Sequence, residues 1–513
     1  MRGLPVTKKR LAICLMSSFS FVLICHGFMM MNPSYSHDSL TDFVRIYDNF
    51  QVGLGRFGQG AWRNLFGRVT ATWWIGIVAA ICFGLAAFLI SEVFNTNKTI
   101  TNILMTGILV TNYTFSNSVA TYMPWVDIYG GALLFSVISV YFAVRYKYGF
   151  LLGFPFVSLS LSLYQPYALC VPSLLICFVL TRANETKNAI RLLTKSALML
   201  ILGYVTYRFV LQLYLDKTGL NLSVGYNSIS NIGIPMSILS QPWNEIAGVY
   251  ETGYQFAFAT FKDMPFFALW IAIFAISFVT EAAVYQRQIL HLSNYGKTAF
   301  YILLFLTPLF FNFQYIVSKA VYHVLMVYSV YFIWLLPLLF FDKTYQNVTS
   351  YNYGNNKYIR LLYKGLRFLT PVVIVIYIFA NTRYANNIYT GKYLRERSTL
   401  SVMTRIMSRA EATQGYDPEK MPIVLVGNLE NNPIIGESDD AYYGPIVGDP
   451  SRFISITNDY NAYLHYYMGY TYSSLRSSEI VQGNEEVESM PAYPNEGFTK
   501  VIDGKLVIKI AQN

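Results

Sequence analysis

The feature that most limits the fold of this chain is a series of apolar runs near 20 residues long, each closed by charged or polar residues. A helix of about 20 residues rises some 30 Å, the thickness of the hydrocarbon core of a bilayer. On that yardstick about eleven spans are expected. They lie at 11–31, 71–93, 101–121, 124–144, 149–164, 166–181, 196–215, 264–285, 298–317, 320–341 and 367–382. The fifth and sixth are short, and Pro166 in "LYQPY" marks their junction, so they read as one broken or re-entrant pair. Composition agrees: 54% of the 513 residues are hydrophobic and 13% charged, against about a quarter charged in soluble domains. The 42 Tyr and 37 Phe suit membrane interfaces, where a ring is buried while a hydroxyl stays wet.

The net charge of +10 would fit nucleic acid if it formed one basic face. Instead Lys and Arg fall in short loops between the runs, which argues against a nucleic-acid partner and sets an orientation. With the N-terminus inside, the cytoplasmic segments hold Lys8, Lys9 and Arg10; Arg145 and Lys147; Arg182, Lys187, Arg191 and Lys195; Arg287 and Lys297; and Lys343, Lys357, Arg360, Lys364 and Arg367. The first run follows "MRGLPVTKKR" and lacks a small-x-small cleavage site, so it reads as a retained anchor. All five cysteines sit in apolar runs with no metal spacing, as small buried hydrophobes.

Three segments then face outward: the loop 32–70, the stretch 216–263, and everything after about 384. Within the second, "QPWNEIAGVYETGYQFAFATF" has the makings of an interfacial helix. In the third, "MPIVLVGN" reads as a buried strand, and "GFTKVIDGKLVIKI" as a hairpin around Asp503-Gly504. "RERSTLSVMTRIMSRAEAT" has helical spacing of Leu400, Met403, Ile406 and Met407. The expected fold is therefore mainly α: a polytopic transmembrane bundle over 1–383, with a small extracytoplasmic α/β domain over 384–513. No long internal repeat is visible, which weakens a transporter built from inverted repeats.

The outer loop 32–70 holds Asp38, Asp42, Arg45 and Asp48 within "SHDSLTDFVRIYDNF". Downstream, "QVGLGRFGQGAWRNLFGRV" interleaves aromatic residues with Arg56 and Arg63, the pattern of an interfacial helix. Gly53, Gly55, Gly58 and Gly60 break it, which favours two short helices about a turn. On a helix Asp38 and Asp42 share a face, as do Asp42 and Arg45. Paired carboxylates raise one another's pKa, as a general base requires, whereas Arg45 beside Asp42 keeps it ionised. From the residues alone, a solvated face with helix-stabilising pairs and a catalytic loop both fit.

The stretch "TDFVRIYDNFQVGLGRFGQGAW" resembles the first outer loop of the bacterial glucosyltransferases that decorate O-antigen and related surface polysaccharides. These are polytopic membrane enzymes of the GT-C superfamily. Their pattern is Asp-Asp-x-x-Arg, a short aromatic/Gly stretch, then Gly-Arg. Asp42, Arg45, Gly55 and Arg56 match it. Thr41 replaces the first Asp of the pair, and Asp38 lies upstream. "SLSLYQPYAL" is similar to the family's Ser-x-x-x-Tyr-Gln motif, with Tyr164 and Gln165. Asp48 has no counterpart.

The resemblance implies transfer of a sugar, glucosyl by the family's habit, from a polyprenyl-phosphate donor to a polysaccharide or lipid-linked glycan. The site would lie on the outer face of the bacterial cytoplasmic membrane. Such a reaction needs a carboxylate to take the acceptor's proton, with Asp42 first and Asp38 second, and cations for the departing phosphate. Arg45 and Arg56 are near in sequence; Lys319 and His323 in "IVSKAVYHV" could approach from across the site.

Each of these residues has a plainer reading. Lys319 can snorkel, His323 can be structural, and Tyr164 and Gln165 can cap a broken helix. Asp127 in "PWVDIYGG" is best read as a helix-start residue. Trp62 and Trp243 read as headgroup anchors rather than sugar platforms. No metal site, phosphate-binding Gly-Lys loop or dinucleotide motif occurs, and no cofactor is expected. A flippase or transporter of lipid-linked sugars would want charges deep in its spans, and the span centres are nearly free of them. A polysaccharide polymerase shares the donor chemistry but fits the first-loop motif less well.

Overall fold

In the computed structural model the chain is described over residues 6–34, 48–68, 70–182, 186–224, 237–288, 294–318, 322–344, 357–427, 429, 432, 460–471, 475–476 and 481–511. It divides into two units. One comprises residues 1–27, 47–119 and 125–385, and the other 28–46, 120–124 and 386–513.

The first helices are α1 (Val6–Met31), α2 (Asp48–Gly53), α3 (Gly58–Phe66), α4 (Thr72–Phe94), α5 (Thr99–Thr111), α6 (Tyr113–Tyr122), α7 (Val126–Arg145), α8 (Gly149–Leu163), α9 (Cys170–Arg182) and α10 (Thr186–Thr218). They are followed by α11 (Ser237–Ser240), α12 (Pro242–Ala257), α13 (Phe267–Gln288), α14 (Asn294–Phe305), α15 (Thr307–Phe311), α16 (Phe313–Val317), α17 (Phe332–Thr344) and α18 (Lys357–Glu411). Seven described helical segments are long and apolar enough to cross a membrane, and α5 and α8 are shorter apolar helices. The fold is mainly α and polytopic.

The expected eleven spans and these seven segments differ where the chain is broken within an apolar run. At 149–182 the junction is a 3-10 turn, Gln165–Leu169, with Pro166 at its start. Residues 294–317 are three short helices with Pro308 opening α15. Before α17 the chain makes two 3-10 turns, Val324–Met326 and Tyr328–Tyr331. At Pro166 and Pro308 the ring removes a donor and clashes with the preceding turn, so apolar length there does not become helix length, whereas the two turns before α17 contain no proline. Conversely, α18 runs far beyond the apolar residues 367–382, through the polar stretch to Glu411.

In the first unit α7 packs between α4 and α8, and α10 lies against α8. Basic residues gather at one end of these helices. Arg10 of α1 pairs with Glu92 near the end of α4 at 2.9 Å, with Arg145 at the end of α7 alongside. Lys343 donates to the Asn95 carbonyl at 2.7 Å. Asp342 accepts from the backbone N–H groups of Asn97 (3.0 Å) and Lys98 (3.1 Å), a carboxylate set on the positive end of α5. Burial lowers the ammonium groups of Lys98 and Lys343 to about 8, with Asp342 pulling the other way.

A second polar cluster is enclosed between α13, α17 and α18. Glu281, fully buried, faces Arg367 at 3.4 Å and accepts from Thr344 and Thr370. Arg367 also donates to Thr344 at 2.6 Å. Enclosed charges persist when paired and hydrogen-bonded, as these are.

The second unit contains α19 (Tyr460–Met468), α20 (Glu485–Ser489) and strands β1 (Ile423–Val426), β2 (Leu475–Arg476), β3 (Thr499–Ile502) and β4 (Lys505–Lys509). The sheet order is β2-β1-β4-β3, with β1 parallel to β2 and β4, and β3 antiparallel to β4 about Asp503-Gly504. All four β1 residues are buried, because both faces of the sheet are covered. Ile423 and Leu425 join Met403, Ile406 and Met407 of α18 in one core. Val424 and Val426 turn to the opposite face, against Val481, Val487 and Met490. The period-2 alternation of a strand makes that division.

Candidate functional site

The glycine-broken segment 48–68 folds as two short helices, α2 and α3, joined by a turn at 54–57. The turn is closed by the Gly55 N–H on the Val52 carbonyl (2.8 Å) and the Arg56 N–H on the Gln51 carbonyl (2.9 Å). Two side chains from elsewhere hold its carbonyls. The Gln165 amide donates to the Leu54 carbonyl at 2.8 Å and reaches the Tyr207 hydroxyl at 3.3 Å. Tyr207 in turn donates to the Gly55 carbonyl at 2.9 Å. Gln59 of α3 donates to the Leu163 carbonyl at 2.7 Å. Four contacts between distant segments thus fix the position of one arginine.

That arginine is Arg56. Its guanidinium carbon lies 4.8 Å from the centre of the Tyr164 ring, a cation–π contact. One terminal nitrogen donates to the Gln51 side chain at 3.1 Å. Its Nε is buried and has no hydrogen-bond partner among the described residues. A buried donor without a partner costs about 1–3 kcal/mol, a penalty that an anionic ligand accepting from it would remove.

The charge of Arg56 acts on the imidazole of His323. His323 Nδ1 accepts from the Leu325 N–H at 3.3 Å, so the neutral ring carries its proton on Nε2 and offers a second donor. Tyr164 also packs on Tyr129, with ring centres 4.8 Å apart.

Beside this turn α3 is anchored on α7. Trp62 donates from Nε1 to Asp127 Oδ2 at 2.8 Å in a buried contact, and the Arg63 guanidinium stacks 4.0 Å over the Trp125 ring. Trp62 is therefore neither a headgroup anchor nor a sugar platform. Its indole is buried, because the backbone at Gly131 leaves room for it. A Cβ at Gly131 would come within 2.5 Å of the indole. Exchange of Gly131 for alanine is expected to cost about 1–3 kcal/mol by overpacking, read as a lowered unfolding midpoint of the purified protein. Equal midpoints would mean that α3 is not locked in this way. Asp127 sits in the first turn of α7, a helix-start residue that also orients Trp62. Trp243, 79% exposed, has no such partner role.

The structure thus brings together Arg56, Tyr164, Gln165 and His323, four residues singled out in the sequence. Asp38, Asp42, Arg45 and Lys319 lie outside the described residues. Tyr207, Gln51 and the Trp62–Asp127 pair are additions. Tyr207 sits in an apolar run where tyrosine is common, and no sequence signal sets it apart. Among the described residues, no three His, Cys, Asp or Glu side chains converge as a metal site.

The fold is that of a polytopic helical membrane protein, with the Arg56 cation held over the Tyr164 ring at one end of its bundle. Residues 27–341 match the family model described as glucosyl transferase GtrII, and the chain belongs to that family of glucosyltransferases. Comparison with curated proteins and with solved structures gives no match.

Proposed function

We propose that this glucosyltransferase takes its glucosyl group from a polyprenyl-phosphate donor at the outer face of the bacterial cytoplasmic membrane and passes it to a cell-surface glycan. The observation that carries this reading is Arg56, clamped over Tyr164, with its buried Nε lacking a partner among the described residues. An anion held between Arg56 and the Nε2–H of His323 accounts for both groups. The phosphate of a lipid-linked sugar is such an anion, and the apolar helices around the site provide surface for its tail. The orientation draws support from the bundle's two ends. The basic residues Arg10, Arg145 and Lys343 gather at one end, as cytoplasmic residues do. Asp127 at the start of α7, Leu163 at the end of α8 and the Arg56 turn lie at the other.

In this mechanism the acceptor hydroxyl attacks the anomeric carbon, and Asp42, or Asp38 in its place, takes the hydroxyl proton. The bond between the anomeric carbon and the phosphate oxygen breaks, and its electron pair leaves with the phosphate. Arg56 and His323, with Arg45 and Lys319 as further cations, hold the charge that develops there. Gln165 and Tyr207 act on the backbone of the turn and so position Arg56. No metal is needed in this scheme.

Incubating the purified full-length protein in lipid nanodiscs with radiolabelled polyprenyl-phosphate glucose and a surface polysaccharide is expected to move label into the polysaccharide. Transfer from a nucleotide-linked glucose, with none from the lipid-linked one, would overturn the proposal. A flippase reading would need polar groups along a path through the bundle. Glu281 and Arg367 instead form a closed pair with Thr344 and Thr370.

A further inference from the structure

The end of α10 near the Arg56 turn carries a feature that phosphate binding does not use. Gly219, at φ +68°, ends the helix in the left-handed conformation, and the chain turns back across it. This fold-back encloses an open pocket of about 390 Å³, lined by Gln212, Asp216, Asn221 and the apolar Leu215, Leu220 and Leu222. That volume falls in the roughly 300–1,000 Å³ range of small-ligand sites. Gln212 donates to Asp216 at 2.7 Å, and Gln212, Asp216 and Asn221 are all exposed.

The apolar floor is tied to the outer loop. Leu215, Leu220 and Leu222 pack with Val52 and Phe57, and the Ser223 N–H donates to the Gly53 carbonyl at 2.9 Å. Phe57 stacks on Tyr207 and on Tyr214, with ring centres 5.8 and 6.1 Å apart. An aromatic row thus runs from Tyr207, which holds the Arg56 turn, through Phe57 to Tyr214, two residues before Asp216. Tyr207 and Asp216 are nine residues apart, or about 14 Å along the helix.

We infer that this pocket binds a neutral sugar ring of the acceptor glycan. Its chemistry suits carbohydrate recognition: a carboxylate that accepts from hydroxyls, two amides that both donate and accept, and an apolar floor. An exposed carboxylate opposes a phosphate, and the polar rim opposes a lipid tail. One carboxylate with two amides is too weak a donor set for a dedicated calcium site. The spacing places a sugar beyond the reacting hydroxyl, within reach of an oligosaccharide that also enters the donor site. The inference rests on the glycosyltransferase reading above for what the bound sugar does.

The test uses the full-length protein in nanodiscs and four simple probes. These are the methyl glycosides of α-D-glucose, α-D-galactose, α-L-rhamnose and β-N-acetyl-D-glucosamine, observed by saturation-transfer NMR. At least one is expected to receive saturation at its ring protons. The combined change Asp216→Ala and Asn221→Ala is expected to reduce that signal about tenfold, as loss of one to two hydrogen bonds implies. The single change Asn221→Ala, at an exposed position, is the second variant, and an unaltered unfolding midpoint shows that each variant is folded. Absence of signal from all four glycosides, or full signal in the double variant, overturns the inference. In the transfer assay the double variant should raise KM for the acceptor about tenfold with donor KM unchanged. Failure of the wild type to use the lipid-linked donor would sink the previous proposal, yet leave the glycoside signal readable.

Discussion

Arg56→Ala is expected to lower kcat/KM for glucosyl transfer from the lipid-linked donor by about 100- to 1,000-fold, the usual loss when one preorganised donor to a developing charge is removed. The side chain contributes little to folding, because it is half-buried and, among the described residues, donates from its side chain only to Gln51. The unfolding midpoint should therefore stay near that of the wild type. Arg56→Lys separates charge from shape. Lysine keeps the cation but loses the planar fork and the stacking over Tyr164, so it should recover only part of the rate, remaining about tenfold below wild type. Equal rates for the wild type and the alanine variant would remove Arg56 from the mechanism. Strong loss of folding without loss of rate per folded molecule would make it a structural residue of the turn.

The second large effect is expected at the carboxylates of the preceding segment. Asp42→Asn should reduce kcat about 100- to 10,000-fold, the range of a lost general base, with the donor KM little changed. Asp38→Asn should be the milder change if Asp42 takes the proton, and the harsher one if Asp38 has replaced the missing first Asp of the motif. The pH dependence gives an independent check. A carboxylate base works only when ionised, so the wild-type rate should fall on the acid side. The more damaging of the two variants should lose that acidic limb. Undiminished rates in both variants would exclude a base at either position.

Much of the layout was legible in the sequence, and for identifiable reasons. Apolar runs report membrane helices because burial in lipid is a property of each residue and sums along the chain. The glycines at 53, 55, 58 and 60 foretell two short helices, since each weakens helix locally. "MPIVLVGN" and Asp503-Gly504 similarly mark a buried strand and a hairpin turn, both local signals. Span ends were less legible: helices stop at Pro166 and Pro308 within apolar runs, and α18 continues past its apolar part to Glu411. The polar half of α18 is helical because Met403, Ile406 and Met407 are buried in the core of the second unit, and that partner is distant in sequence.

By itself, then, the sequence determined a many-helix membrane protein and a glycine-broken pair of short helices after the first span, and it marked Arg56, Tyr164, Gln165 and His323 as candidates. Those depend on hydrophobicity, backbone freedom and motif spacing, all of which act over short stretches. Only the tertiary structure decided that Arg56 sits over Tyr164, that Gln165 and Tyr207 both grip the turn carrying it, and that Trp62 is locked on Asp127. It alone placed Asp216 and Asn221 at one pocket, over leucines that pack with Phe57. The contacts of the turn and of Trp62 join residues 65 to 152 positions apart, and they are set by how whole helices pack, which no local pattern encodes.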